Sequence, residues 1–534
     1  MTVNYPRRNF LKGAGIIALG AGSTTNFALA GTSTKHIYNL KDFGIVAKNG
    51  DSTEVFIRAF DQLEKTGGTL VLPSGAYNIN QSLSLEVTKD INIIGNQTIL
   101  RFGKVKNYAI EFYGSRTDFK LPSIKDFESL IVGTRANAGN LVLRQDKFLF
   151  DNLELNLSKI DDYNWVMKSE RSYFTKDMLG KNLVGYNTNL TFYITKIIDP
   201  KTVEVIPGNN QPKDSDPSLI PSWAVADLWC KSRSYYIRGE ILIPEAISHK
   251  KFADGVASYK PENLNCYRFM SGKLRLQGVN VIAYKNRYGI KFLNIAGLEL
   301  NNLVMSGFED NSLSIIESIN VKIEGCNIQN GISQRENNYG CLVDSCQEIE
   351  IINSRFSGGF HSLSHGGTFP CRNIRLSDLY FSGSSNFGLD FHGNCSNVIM
   401  SNINCVSGAY IGAINVSISN SSFLISNQKL AALVIGPERD SDYYIINNCN
   451  LRNGIGNALA ISSQFCIGEI NKISLNNSKI ISPQNGVIFQ AYPYGKDPII
   501  NYLEMTDNTF GVKQEKVKTI NNHNLFIIQQ NNAF

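Results

Sequence analysis

The sequence predicts an all-β chain wound as a single-stranded right-handed parallel β-helix, a solenoid, with an N-terminal capping helix and an inserted β-rich subdomain. Three observations predict it: an eight-residue phrase that recurs ten times, strict alternation inside each copy, and a spacing of copies in the solenoid range.

The phrase is apolar-x-apolar-x-(Asn/Asp/Gly)-x-x-apolar. Its copies begin at Leu274, Leu298, Val321, Ile349, Ile374, Val398, Val416, Tyr444, Ile473 and Leu503, with steps of 24, 23, 28, 25, 24, 18, 28, 29 and 30 residues. Period-two alternation is strand patterning, and the Asn, Asp or Gly falls where a tight left-handed turn is least costly. One such coil cannot bury its own apolar face, whereas coils stacked about 4.8 Å apart share a continuous core.

Length and composition fit this. With 534 residues, 43% hydrophobic and 18% charged, the repeat leaves one elongated domain with an insertion as the simplest division. After the N-terminus no apolar run reaches the length of a membrane span. The formal charge is +6, and +3 without Arg7, Arg8 and Lys12. The basic residues are scattered without interleaved aromatics, so the sequence gives no footprint for nucleic acid. An acidic polysaccharide partner is compatible with this mild positive charge but not implied by it.

At the N-terminus, PRRNFLK from Pro6 to Lys12, a modest apolar stretch and Ala28-Leu29-Ala30 resemble a twin-arginine signal, with Pro6 where Ser or Thr is usual. The resemblance implies periplasmic or secreted localisation and cleavage after Ala30, giving segments 1–30 (leader), 31–155 (cap and first coils), 156–270 (insert) and 271–534 (main β-helix and C-terminal cap). That route carries proteins folded in a reducing compartment. The ten cysteines are therefore expected as stacked, buried thiols rather than disulfides.

Residues 36–79 read as strand, turn, amphipathic helix (Val55, Phe56, Ala59, Phe60 and Leu63 apolar, Asp51 or Ser52 capping), a Gly67-Gly68 stop and a second strand. A helix there would cover the open end of the solenoid. Within this run Asp42-Phe43-Gly44, Gly50-Asp51-Ser52-Thr53, Gly67-Gly68-Thr69 and Leu72-Pro73-Ser74-Gly75-Ala76-Tyr77 resemble the N-terminal signature of the pectate lyase superfamily, which includes phage tailspikes and many polysaccharide-acting β-helix enzymes. Ile45-Val46-Ala47 and Glu54 depart from the usual pattern. The resemblance implies the fold, and says little about the reaction, because one fold hosts many chemistries.

Ile91–Thr98 and Phe148–Leu155 read as two early copies of the phrase. Between Leu155 and Leu274 the rhythm stops; this stretch holds Trp165, Trp223 and Trp229, a hairpin pattern around Phe192-Tyr193-Ile194 and Val203-Glu204-Val205, and a Pro/Asp/Ser-rich loop. Its tryptophans fit a small core better than a sugar platform, with Trp223 kept as a candidate sugar contact. Asn521–Phe534 is expected to close the solenoid.

Polar residues gather on a second short strand ahead of the phrase: Glu317, Asp344, His361, His365, Asp390 and His392. Later coils carry Ile435 and Ser462 there, so the patch is local. Outward groups on adjacent coils stand about 4.8 Å apart and on alternate coils about 9.6 Å. Glu317 with Asp344 would suit a retaining glycosidase and Asp344 with Asp390 an inverting one, with a histidine as acid or base. Elimination on a uronate polymer would instead use His365 or His392 as base, Arg335, Arg355 or Arg372 as cation, and Tyr339 or Tyr380 as acid. Arg335, Arg355 and Tyr380 are also candidate substrate contacts. Which of His361 and His365 aligns with Asp390 is a matter of register, and one residue of slip turns a side chain inward. No cofactor is indicated; calcium is compatible but not required, for want of a tight acidic cluster. The sequence thus favours an exported polysaccharide-cleaving enzyme, hydrolysis ahead of elimination. The alternative is a non-catalytic polysaccharide-binding or exopolysaccharide-assembly protein, which a twin-arginine-like leader on a β-helix also resembles.

Overall fold

The computed structural model describes residues 36–44, 50–120, 271–330, 338–366, 371–391, 395–426, 431–436, 441–462, 469–489, 499–519 and 526–533, with separate strands between 141 and 270. It is a parallel β-solenoid of about 11 turns, 64% strand and 6% helix.

The first residues of the ten copies form one line across a 22-stranded parallel sheet, each paired with the next from Leu274 to Leu503. Ile91 extends the line at one end and Ile527 at the other. The first and third positions of the ten copies point inward, and none is more than 3% exposed. Burying such a side chain contributes about 1.5–3 kcal/mol. The fifth position, from Gly278 to Asn531, has φ between 45° and 65° in every coil. L-residues other than Asn and Asp enter that region at a cost, which explains the composition of the column. Its amides also bridge coils, as where Asn402 Nδ2 donates to Asp378 Oδ1 at 3.0 Å and Asn448 Nδ2 to Asn420 Oδ1 at 2.7 Å.

After the sharp turn a second run of strands continues the same sheet, and a twelve-stranded parallel sheet closes each coil. The latter contains Leu313–Ile316, Tyr339–Asp344, His361–Gly366, Leu389–Phe391 and Ala409–Ile411 side by side.

The helix Thr53–Thr66 buries Val55, Phe56, Ala59, Phe60 and Leu63. Asp51 Oδ1 accepts the Thr53 N–H at 2.9 Å, so Asp51 rather than Ser52 supplies the side-chain cap. Those Thr53 hydrogen bonds lower its pKa. Phe60 lies 6.0 Å from Phe112, which stacks on Phe292 at 5.2 Å, so the helix sits over the first rings of the core.

The parallel winding is interrupted by antiparallel strands, beginning and ending with the pair Ser115–Lys120 and Asn265–Met270. A seven-stranded antiparallel sheet holds the expected hairpin, Thr191–Asp199 with Thr202–Pro207, around buried Trp165. The phrase at Phe148 is a correction: Lys147–Asp151 runs antiparallel to Ser234–Ile237 within that sheet and is no coil of the solenoid. Trp223, Trp229 and the leader lie outside the described residues.

Seven cysteines, 326, 341, 346, 371, 395, 405 and 449, are buried thiols outside any disulfide. At one corner they replace serine in a ladder of turn amides: Ser318 N–H donates to Cys346 Sγ and Cys346 N–H to Cys371 Sγ, both at 3.4 Å. Burial pushes the Cys326 and Cys449 thiols up to about 11 and the Cys405 thiol to about 12.

Candidate active site

In Tyr339–Asp344, alternation turns Cys341 and Val343 into the core and Leu342 and Asp344 outward. On the next coil Leu363 pairs with Cys341 and His365 with Val343, which puts both inside. On the coil after that, Asp390 pairs with Ser364 and faces out.

His365 is therefore a core residue and leaves the patch. It is fully buried, stacked on Phe391 at 4.3 Å, and neither ring nitrogen has a hydrogen-bond partner. Burial lowers its pKa to about 3 against the opposing pull of the Asp390 charge. A neutral, inward imidazole is a poor candidate for proton transfer to an outside substrate.

His361, four residues earlier, is the histidine that meets Asp390. Its ring stacks between Tyr339 at 5.7 Å and Phe387 at 6.5 Å, with Phe360 edge-on at 4.6 Å. Nδ1 lies 3.0 Å from the Phe387 carbonyl oxygen and Nε2 lies 3.5 Å from Asp390 Oδ2. A carbonyl oxygen can only accept, so Nδ1 carries a hydrogen. Nε2 and a carboxylate oxygen attract each other only with a proton between them, on the imidazolium or on the acid. The same Oδ2 accepts the Ser364 hydroxyl at 3.1 Å. This is a proton-sharing pair held by ring stacking on one side and a serine on the other.

Tyr339 is drawn into the group electrostatically. Burial is the main cause raising its phenol pKa, followed by the charges of Asp390 and then Asp344. The phenol stays protonated and feels the charge of both carboxylates. Asp344 Oδ1 accepts the Ser345 hydroxyl at 2.5 Å.

The register corrects the expected spacings. Asp344 pairs with Gly366, whereas Asp390 pairs with Ser364, so the two are two coils and two residues apart. Strand geometry makes that a diagonal of roughly 12 Å between backbones rather than about 9.6 Å. Glu317 follows Ile316, the partner of Asp344, in a left-handed turn at φ 46°, and its N–H donates to the Asp344 carbonyl at 2.9 Å. It is not the adjacent-coil mate of the Asp344 carboxylate. Arg355 and Tyr380 pair on the other sheet, guanidinium 5.8 Å from the ring centre, apart from the patch. His392, Arg335 and Trp223 lie outside the described residues.

The structure thus brings together Tyr339, His361 and Asp390, with Asp344 on the same sheet two coils from Asp390. Sequence reasoning missed the stacking role of Phe387 and the anchoring of Asp390 by Ser364; the polar residue alternating with the inward Leu363 and His365 was the available signal for Ser364. All three charged members are buried: Asp390 is 2% exposed, His361 4% and Asp344 7%. Among the described residues, no group of three or more His, Cys, Asp or Glu side chains is arranged to hold a metal ion.

Fold and patch together define the class: a parallel β-solenoid with an acidic and histidine-bearing patch on one sheet. No family model and no curated protein matches the chain. Among solved structures it is similar to the Gp54 tailspike of Acinetobacter baumannii bacteriophage AP22, in complex with A. baumannii capsular saccharide, at 12% identity over 92% of this chain and 73% of that one (TM-score 0.53). It is also similar to the tailspike gp49 of Pseudomonas phage LKA1 at 12% identity over 90% and 75% (TM-score 0.49), and to an exopolygalacturonase of Thermotoga maritima at 13% over 93% and 91% (TM-score 0.36). At 12% identity the likeness to the AP22 tailspike speaks for the fold. Among the described residues no helix is long and apolar enough to cross a membrane.

Proposed function

We propose that the protein is an exported carbohydrate-active enzyme that cleaves polysaccharide by hydrolysis of a glycosidic bond. The observation that carries this is the His361–Asp390 contact, in which Nδ1 is committed to a carbonyl and one proton serves Nε2 and Oδ2. Such a pair protonates a leaving oxygen and takes the proton back. Asp344 is the second carboxylate, activating water across the gap; its separation from Asp390, two coils and two residues, is too wide for the retaining arrangement and leaves room for a water. The likeness to a tailspike solved with capsular saccharide supports a polymer as the partner.

Elimination is the weaker reaction, because His365, one of its candidate bases, is a core residue. A second reading, binding without turnover, is favoured by the near-complete burial of Asp390, His361 and Asp344.

The test is to incubate the protein with neutral and uronate-containing bacterial and plant polysaccharides, following reducing ends and absorbance near 235 nm together. Reducing ends alone mean hydrolysis, and both signals mean elimination. Asp390→Asn should lower turnover by about 100-fold or more with thermal unfolding little changed. Binding by the wild type with no turnover on any polymer would favour the second reading.

A further inference from the structure

Asp390 has a second flank, and it is apolar. The residue pairs on one side with Ser364 and on the other with Tyr410, in the strand Ala409–Ile411. Outward side chains on adjacent coils stand about 4.8 Å apart, so the Tyr410 ring lies beside the Asp390 carboxyl. Two contacts fix that ring. Its hydroxyl donates to the Gly436 carbonyl oxygen at 3.2 Å, and its centre lies 6.1 Å from that of Phe387, which stacks on His361. Gly436 leaves the space: a Cβ there would meet the Ser462 carbonyl oxygen at 2.4 Å and the Tyr410 hydroxyl at 2.6 Å.

The outward column changes character at Asp390. Before it stand Glu111, Lys291, Ser314, Leu342 and Ser364, paired in turn. After Tyr410 it runs Val434, Ala460 and Ile488. With Phe387 and Tyr410 these three belong to one apolar cluster, none of them more than 6% exposed. The titratable groups that bear on Asp390 are His361 on the preceding coil, Tyr339 and Asp344 beyond it, and His365 on the inner side of the sheet. The Tyr410 phenol is turned to the Gly436 carbonyl, so it brings a ring and not a proton to the pair. A carboxyl with hydrogen-bonding partners on one flank and hydrocarbon on the other exchanges its proton through the first.

We infer that Tyr410 is a positioning residue for the pair: its ring, seated on Gly436, is the dry wall that confines the shared proton to the His361–Asp390 contact. The inference rests on the reading of that pair as the proton donor of a cleavage reaction. Loss of the ring opens a space lined by the carboxyl and the Gly436 carbonyl, polar enough to take up water. Water stabilises the anion left behind when the shared proton departs, whichever atom held it, so the pair then gives up its proton at lower pH.

The test is a pH titration of the His361 ring by NMR in the full chain, its signal among the six histidines assigned with His361→Gln. It is joined by the pH profile of turnover on whichever polymer the screen identifies. Tyr410→Ser should move the deprotonation of the pair down by about one pH unit and carry the alkaline limb of turnover with it. Tyr410→Phe keeps the ring and loses only the bond to Gly436, and should hold both at their wild-type positions. A merely structural role would lower the unfolding temperature and move neither. Tyr410→Leu, smaller and still apolar, should give a lesser shift in the same direction and serves where the serine variant does not fold. Unmoved titrations in these two variants overturn the inference, as does a shift in Tyr410→Phe equal to that in Tyr410→Ser. A shifted titration in a protein that cleaves no polymer upholds Tyr410 as the wall of the pair and removes the cleavage reading alone.

Discussion

His361 and His365 share one strand and one sequence phrase, FHSLSHGG, yet end in opposite environments. Four residues apart, they share the parity of Leu363, so alternation alone does not separate them. Their places along the neighbouring strand do: His365 lies opposite the core residue Val343, His361 opposite half-buried Tyr339 at the start of the strand. The aspartates were legible because charged residues on a strand of a packed coil have to point out; their relative offset was not, since it depends on where each strand starts. His365 has a measurable consequence. Its folded pKa of about 3 lies below the ordinary value of about 6.5, so the unfolded chain binds the proton more readily. The stability it contributes is complete above pH 6.5 and is lost as pH falls toward 3, by as much as about 5 kcal/mol. His365→Phe should flatten the decline of melting temperature between pH 6.5 and 4 while leaving the pH 7.5 value within a few degrees. If both proteins lose stability in parallel, His365 is not the group responsible.

Strands and turns were the most legible level, since all ten phrases pair in one register, and the reason is that the fifth position selects residues by backbone conformation alone. One copy that went unrecognised and one misreading have physical causes. Ile527–Asn531 is an eleventh coil with the same left-handed turn, hidden because Gln529 stands opposite Met505, where the other copies are apolar. Phe148–Leu155 matched the phrase falsely, because alternation marks any half-buried strand, parallel or antiparallel. The turn makes its own prediction. Asn448→Ala forces a Cβ-bearing residue without amide compensation to φ 53° and removes the bond to Asn420, so it should destabilise by about 1–2 kcal/mol in urea unfolding. Asn448→Gly keeps the turn and loses the bond, and should cost less. Equal losses would mean that the side-chain ladder, and not the backbone, dictates asparagine there.

At the scale of the molecule, each coil contacts mainly the coils beside it, so stability is a chain of neighbouring interfaces rather than one sum over a core. The end coil then depends on whatever covers it, and here that is the helix whose Phe56 and Phe60 are buried and whose Phe60 meets the Phe112–Phe292 stack. Phe60→Ala removes a buried ring at a cost of about 3–5 kcal/mol, but the loss should not spread evenly. Hydrogen exchange should quicken across the helix and the first strands, Gly68–Leu72 through Tyr108–Tyr113, while Val416–Ser419 and Glu469–Asn476 exchange as in the wild type. His361 and Asp390 lie between these regions, several coils from the helix, so turnover at moderate temperature should survive the substitution. Uniformly faster exchange along all coils would instead mean that the solenoid unfolds as one cooperative unit, with the helix stabilising the distant patch as much as the strands beneath it.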